Sequence, residues 1–259
     1  MKQSLFIILL FVYQLADAQN TIDKVNKYRA QHETAILKEY FNLLSIPNYA
    51  LDKVNIDKNA LFIEAMLKKR GIQTKLLESN TKGSPKAVYG EVIVPGATQT
   101  IIFYAHYDGQ AVNPEKWHPS VKPYQPVLLD QSIEKSGKII AFPTSGQAFN
   151  PEWRISCRSS SDDKAGVMTI INAYDALVKT GVKLNNNIKF FFEGEEEIGS
   201  LHLAEILEKH KDLLKADLWL IGDGPVHQSG LPMIDFGVRG DVNVDLTVYG
   251  PKRPLHSGH

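Results

Sequence analysis

Asn187-Ile188-Lys189-Phe190-Phe191-Phe192-Glu193-Gly194-Glu195-Glu196-Glu197-Ile198-Gly199-Ser200 is the stretch on which the reading of this chain turns. Residues 187–192 have the aromatic run of a strand. That strand leads directly into four glutamates spread over five residues and then into a glycine turn. On an exposed helix such a run is a solvated face. Between an apolar strand and a turn, like charges crowd and repel one another, and bound cations would resolve the repulsion.

Outward from this point the chain alternates strands with helices. Upstream, Asp163 to Lys179 carries Val167, Ile170, Ile171, Tyr174 and Leu177 at helical spacing. Residues 100–104 form a continuously apolar run, as expected of a strand buried on both faces. Further strands are expected over 73–77 and 87–94, with helices over 20–47 and about 58–69. Downstream, a helix is expected over 199–210 and a strand over 217–221. This rhythm argues for an α/β fold in which a mixed, mainly parallel sheet is flanked by helices. From Met233 the pattern changes to strand, turn, strand (233–238, then 242–249), the start of a second, α+β domain.

The bulk numbers exclude some classes. With 43% hydrophobic residues over 259, a sizeable core is expected. Lys plus Arg and Asp plus Glu number 29 each, and no dense basic run carries interleaved aromatics, so nucleic acid is not an expected partner. The lone cysteine, Cys157, cannot form an internal disulfide and reads as a small apolar filler. At the N-terminus, Lys2, an apolar run from Leu5 to Leu15 and Ala16-Asp17-Ala18 have the order of a signal peptide spanning residues 1–18. Gln19 would then be the first mature residue, the location periplasmic or secreted, and no membrane association would remain after cleavage.

Three more short motifs follow strands or open helices. In His106-Tyr107-Asp108, side chains at i and i+2 of an extended segment point the same way. His106 can bind a metal while Asp108 orients it, though either residue alone also reads as ordinary surface or core. In Ser160-Ser161-Asp162-Asp163-Lys164, the aspartates read either as a helix N-cap or as a carboxylate shared between two cations. Asp223, in Gly222-Asp223-Gly224, reads alone as a turn residue. Together the motifs place one imidazole and several carboxylates beyond the carboxyl ends of strands, where α/β sheets gather ligands. That oxygen-and-imidazole mixture suits zinc or a similar divalent ion in an open, catalytic site.

The four motifs, in this order and spacing, resemble those of the co-catalytic zinc exopeptidases. That family includes carnosine-type dipeptidases, glutamate carboxypeptidases, aminoacylases and succinyl-diaminopimelate desuccinylase. The Glu-Gly-x-Glu-Glu-x-Gly-Ser string with Ser-Asp-Asp-Lys is most like the dipeptidase branch. The resemblance implies two Zn2+ ions (or Mn2+ or Co2+), with His106, Asp162, Glu197 and Asp223 as ligands and Asp162 bridging. It implies a cis peptide between Asp162 and Asp163, Asp108 as the carboxylate supporting His106, and Glu196 as general base. His256, in Leu255-His256-Ser257-Gly258-His259, would stabilise the oxyanion in the partner subunit's site of a homodimer. A water between two metals about 3.5–4 Å apart would attack the amide of a dipeptide or small peptide.

The resemblance also implies a domain plan of signal peptide 1–18, catalytic domain 19–235 and an incomplete lid or dimerisation domain 236–259. The family's last histidine ligand has no counterpart before His259, so the chain is expected to be a fragment with little turnover of its own. Arg158-Ser159 stands where Arg-Gly is usual, Ala165 separates Lys164 from its glycine, and the loop over 131–156 is longer than expected. The rivals are an N-acyl-amino-acid deacylase using the same site, an inactive fragment serving only binding or dimerisation, and a solute-binding domain with surface acids.

Overall fold

The computed structural model describes residues 2–144, 147–227, 229–231, 233–240, 242, 244–250 and 252–253, with the backbone alone over 2–19. The chain divides into a compact unit, Met1–Gly224, and a second unit, Pro225–His259. The first ends before the boundary at 235 expected from the sequence.

The compact unit is built on a five-stranded sheet in the order β1-β2-β7-β3-β8. Its strands are β1 (Gln73–Leu77), β2 (Ala87–Val92), β3 (Thr100–His106), β7 (Asn187–Glu193) and β8 (Leu218–Ile221). β3 pairs in parallel with β7 and β8, and β2 runs antiparallel to both of its neighbours, so all but β2 share one direction. The α/β expectation therefore holds.

Alternation along the strands sorts the core into two layers. Phe190 and Phe192 of β7, Val88 of β2 and Ala105 of β3 point to one face. There they meet Leu43, Leu44, Ile56, Ile63, Leu67, Val167 and Ile171 from three helices, α1 (Lys2–Leu44), α2 (Lys53–Lys69) and α3 (Lys164–Lys179). Phe191, Tyr89, Ala87 and Ile102 point to the other face, against Leu214 and Ile206 of α4 (Leu203–Lys209).

Several boundaries differ from expectation for local reasons. α1 starts at Lys2 rather than near residue 20, because residues 2–19 contain neither glycine nor proline and an apolar run of that kind favours helix. Among the described residues, no helix is long and apolar enough to cross a membrane. α2 starts at Lys53 because the Asp52 carboxylate accepts the Asn55 N–H and caps the helix. The helix expected over 199–210 is shorter, Leu203–Lys209. A 3-10 turn, Glu196–Ile198, ends in left-handed Gly199 and Ser200 before α4 begins.

The segment expected to be loop holds a small sheet of β4 (Val127–Leu129), β5 (Ile139–Ile140) and β6 (Arg154–Ser156), in the order β5-β4-β6. Edge-on ring contacts from Phe41 of α1 through Phe142 and Phe149 to Trp153 tie it down.

In the second unit, the strands expected over 233–238 and 242–249 do not form among the described residues. Phe236, Val238, Val242, Val244, Leu246 and Val248 are all exposed there. The alternation is right for a strand, but a strand needs hydrogen-bonded neighbours and a surface to cover, and no described residue supplies them.

Candidate metal centre

β3, β7 and β8 end side by side. His106 closes β3 opposite Glu193 at the end of β7, and Asp223 follows β8. The His106 side chain is fully buried. Its Nε2 lies 2.8 Å from Asp162 Oδ1, 3.7 Å from Asp223 Oδ2 and 3.8 Å from Glu196 Oε2. On its other side Nδ1 is 3.3 Å from Asp108 Oδ1. That contact is long for a hydrogen bond, and Nδ1 has no closer partner among the described residues.

The two adjacent aspartates divide the readings that the sequence left open. Asp163 is the N-cap of α3. It is buried, its Oδ1 accepts Gly166 N–H at 3.0 Å, and its Oδ2 accepts His106 N–H at 3.1 Å. Asp162 keeps its side chain 67% exposed and directs it at His106. The peptide joining them is cis.

The turn after β7 is held by buried acids. Asp108, fully buried, accepts the N–H of Glu196 at 3.1 Å and of Glu197 at 3.0 Å. Glu195, also buried, accepts the backbone N–H of His202 at 2.6 Å and contacts its Nδ1 at 2.9 Å. Residue 194 must be glycine here, because a Cβ would collide with the Tyr107 hydroxyl. Glu193 Oε2 accepts from the Tyr104 hydroxyl at 2.6 Å. A cavity of about 440 Å³ opens beside Glu196 and Asp223, walled in part by Tyr104, Leu203, Trp219 and Ile221.

The electrostatics show uncompensated negative charge. Burial opposes a charge on His106, yet Asp108, Asp223 and Asp163 outweigh it and push the imidazole up to about 10. Burial pushes Asp163 up to about 7 despite its hydrogen bond from His106. Glu196 is raised by burial and then by Asp223, Glu197 and Asp108, while His106 pulls it down. Asp223 is raised by burial and by Asp162 and Asp108, again against His106. One imidazolium thus faces several carboxylates that resist ionising together.

A divalent cation fits this donor set. Ligand atoms of His106, Asp162 and Glu197 lie within 4.8 Å of one another, as do those of His106, Asp163 and Asp223. A cation would remove the mutual repulsion, and the imidazole-and-carboxylate chemistry is that of zinc and its neighbours.

Of the residues singled out from sequence, His106, Asp108, Asp162, Glu196, Glu197 and Asp223 converge here. His256 lies outside the described residues. The sequence reading missed Gln110, whose Nε2 lies 2.6 Å from Glu197 Oε2. Nothing in the sequence singled it out, because it belongs to none of the four motifs. The reading also missed the bonds of Glu195 to His202, for which a run of glutamates offers no means of telling members apart.

Residues 102–256, more than half of the chain, match the model of peptidase family M20/M25/M40. The chain belongs to this family. Among its relatives is the Cys-Gly metallodipeptidase DUG1 of Candida albicans, 27% identical over 219 residues, covering 83% of this chain and 40% of that protein. Among solved structures, the M20 family metallo-carboxypeptidase Sso-CP2 from Sulfolobus solfataricus is 28% identical. It has a TM-score of 0.59 and covers 75% of this chain and 38% of that one. Human carnosine dipeptidase 1 shares the fold with a TM-score of 0.62 at 22% identity, over 78% of this chain and 41% of that one. The chain thus spans less than half the length of these M20 relatives.

Proposed function

We propose that the protein to which this chain belongs is a metal-dependent dipeptidase of the M20 family. The observation that carries this reading is the gathering of carboxylates around His106 beyond the strand ends, Asp162 and Glu197 in one group and Asp223 in another. The dipeptidase and metallopeptidase names of its relatives support it.

His106, Asp162, Glu197 and Asp223 would hold two zinc or similar divalent ions, with Asp162 shared. When bound, these ions polarise the scissile carbonyl and acidify water. Glu196 is the general base. Its carboxylate stands at the mouth of the cluster, 3.8 Å from His106 Nε2, and is not tied to any backbone donor by its side chain. It takes the proton of the attacking water and delivers it to the leaving amine. Its raised pKa suits this two-way traffic, and a cation nearby lowers it toward the anionic form needed first. Asp163 contributes structure by capping α3 and fixing the His106 backbone, which leaves Asp162 free for the cation.

Three further parts of the proposal rest on sequence. His256 assists the oxyanion, the protein forms a homodimer through the lid domain expected from residue 236, and residues 1–18 direct export. N-terminal sequencing of the mature protein tests the last, with Gln19 as the expected first residue.

The activity test is hydrolysis of dipeptides against N-acyl amino acids by the full-length protein, before and after chelation. Dipeptide cleavage that is lost on chelation and restored by Zn2+ is expected. Cleavage confined to acylated amino acids makes the protein a deacylase instead, and hydrolysis indifferent to chelation removes the metal centre.

A further inference from the structure

We propose that Gln110 is a positioning residue for Glu197, holding its carboxylate so that one oxygen is left for a cation. This rests on the metal-centre reading above. Gln110 lies on the loop leaving β3, two residues past Asp108 and four past His106. Its Nε2 is 2.6 Å from Glu197 Oε2 and 3.3 Å from the Glu197 carbonyl oxygen. One amide group therefore grips both the side chain and the backbone of the same residue, which fixes the Glu197 rotamer.

Asp108 accepts the Glu197 N–H at 3.0 Å. The N–H, the carbonyl and the carboxylate of Glu197 are thus all held by a single loop, the one that leaves β3 just after His106. Ligand atoms of His106, Asp162 and Glu197 lie within 4.8 Å of one another.

The amide suits this task chemically. It donates to one carboxylate oxygen without carrying charge, so it orients Glu197 and leaves its negative charge available to a cation. A lysine in its place would compete with the cation, and a glutamate would set acceptor against acceptor. Gln110 is exposed, so shortening it opens no cavity in the core.

The experiment is Zn2+ titration of the full-length protein against a competing chromophoric chelator. It compares the parent with Gln110→Ala, Gln110→Glu and Glu197→Gln, alongside the melting temperature of each metal-free protein. The apparent affinity is expected to fall about 10- to 100-fold in Gln110→Ala and at least as far in Gln110→Glu, with metal-free melting unchanged. If both Gln110 variants bind as the parent does while Glu197→Gln binds weakly, Gln110 does not position the ligand. A loss of affinity that follows a loss of metal-free stability makes the role merely structural and overturns the inference. If Glu197→Gln binds as the parent does, the metal-centre reading itself fails and takes this proposal with it.

Discussion

A carboxylate that takes a proton from water must lie within reach of the nucleophile and must not be spent on binding a metal or capping a helix. On the proposed reading Glu196 is that carboxylate, and Asp163 and Glu195 are committed to backbone N–H groups. Replacing it, Glu196→Gln, is expected to lower kcat by about 10²- to 10⁴-fold while leaving Zn2+ content unchanged by elemental analysis. Asp108 presents a different kind of dependence. Its two oxygens face the N–H groups of Glu196 and Glu197 and the Nδ1 of His106, with no solvent to help. In Asp108→Asn one oxygen becomes an NH2 that opposes one of these donors. Zn2+ affinity is expected to fall about 10- to 100-fold, and a titration equal to that of the parent removes Asp108 from the support of the site.

At the scale of elements, the start of α3 is anchored on the end of α1. Lys164 is fully buried, and its Nζ donates to the carbonyls of Leu43 at 2.8 Å and Ile46 at 2.9 Å, satisfying the end of α1. Lys164→Met takes the ammonium donor from both carbonyls and leaves Leu43 O with only the 3.3 Å bond from the Ile46 N–H. A loss of about 2–4 kcal/mol in unfolding free energy is expected, read from the urea midpoint, and an unchanged midpoint contradicts the anchoring role. β6 leads to Cys157, buried between α1 and the loop at Pro123, where burial pushes the thiol up to about 11. The folded state therefore prefers the neutral thiol. This contribution is present in full below the ordinary value of 9.0 and is lost as pH rises toward 11. A Cys157→Ala variant is expected to lose less stability than the parent between those limits, measured by denaturant melts across that range.

At the scale of the molecule, binding and folding are linked. Any cation that binds only the folded chain stabilises it, by about 2.7 kcal/mol at a concentration one hundred times Kd. Thermal melts of the full-length protein are expected to rise with added Zn2+ and to fall on chelation. A melting temperature indifferent to both leaves the acidic cluster without a cation. The M20 relatives are more than twice as long as the matched portion of this chain.

By itself, the order of residues determined much of the outcome. Phe190 to Phe192 running into the glutamates, and the apolar 100–104 run ending at His106, already marked adjacent strands with acids beyond their ends. Burial by alternation is a local property, and it can be read without knowing any partner. What only the tertiary structure decided was which identical side chain does which work. Asp162 and Asp163 are chemically alike and neighbours in sequence, yet one caps α3 while the other faces His106. Gln110 belongs to no motif, but the fold brings it against Glu197 from 87 residues away. A hydrogen-bond partner is chosen by distance and direction in space, and no spacing along the chain encodes those.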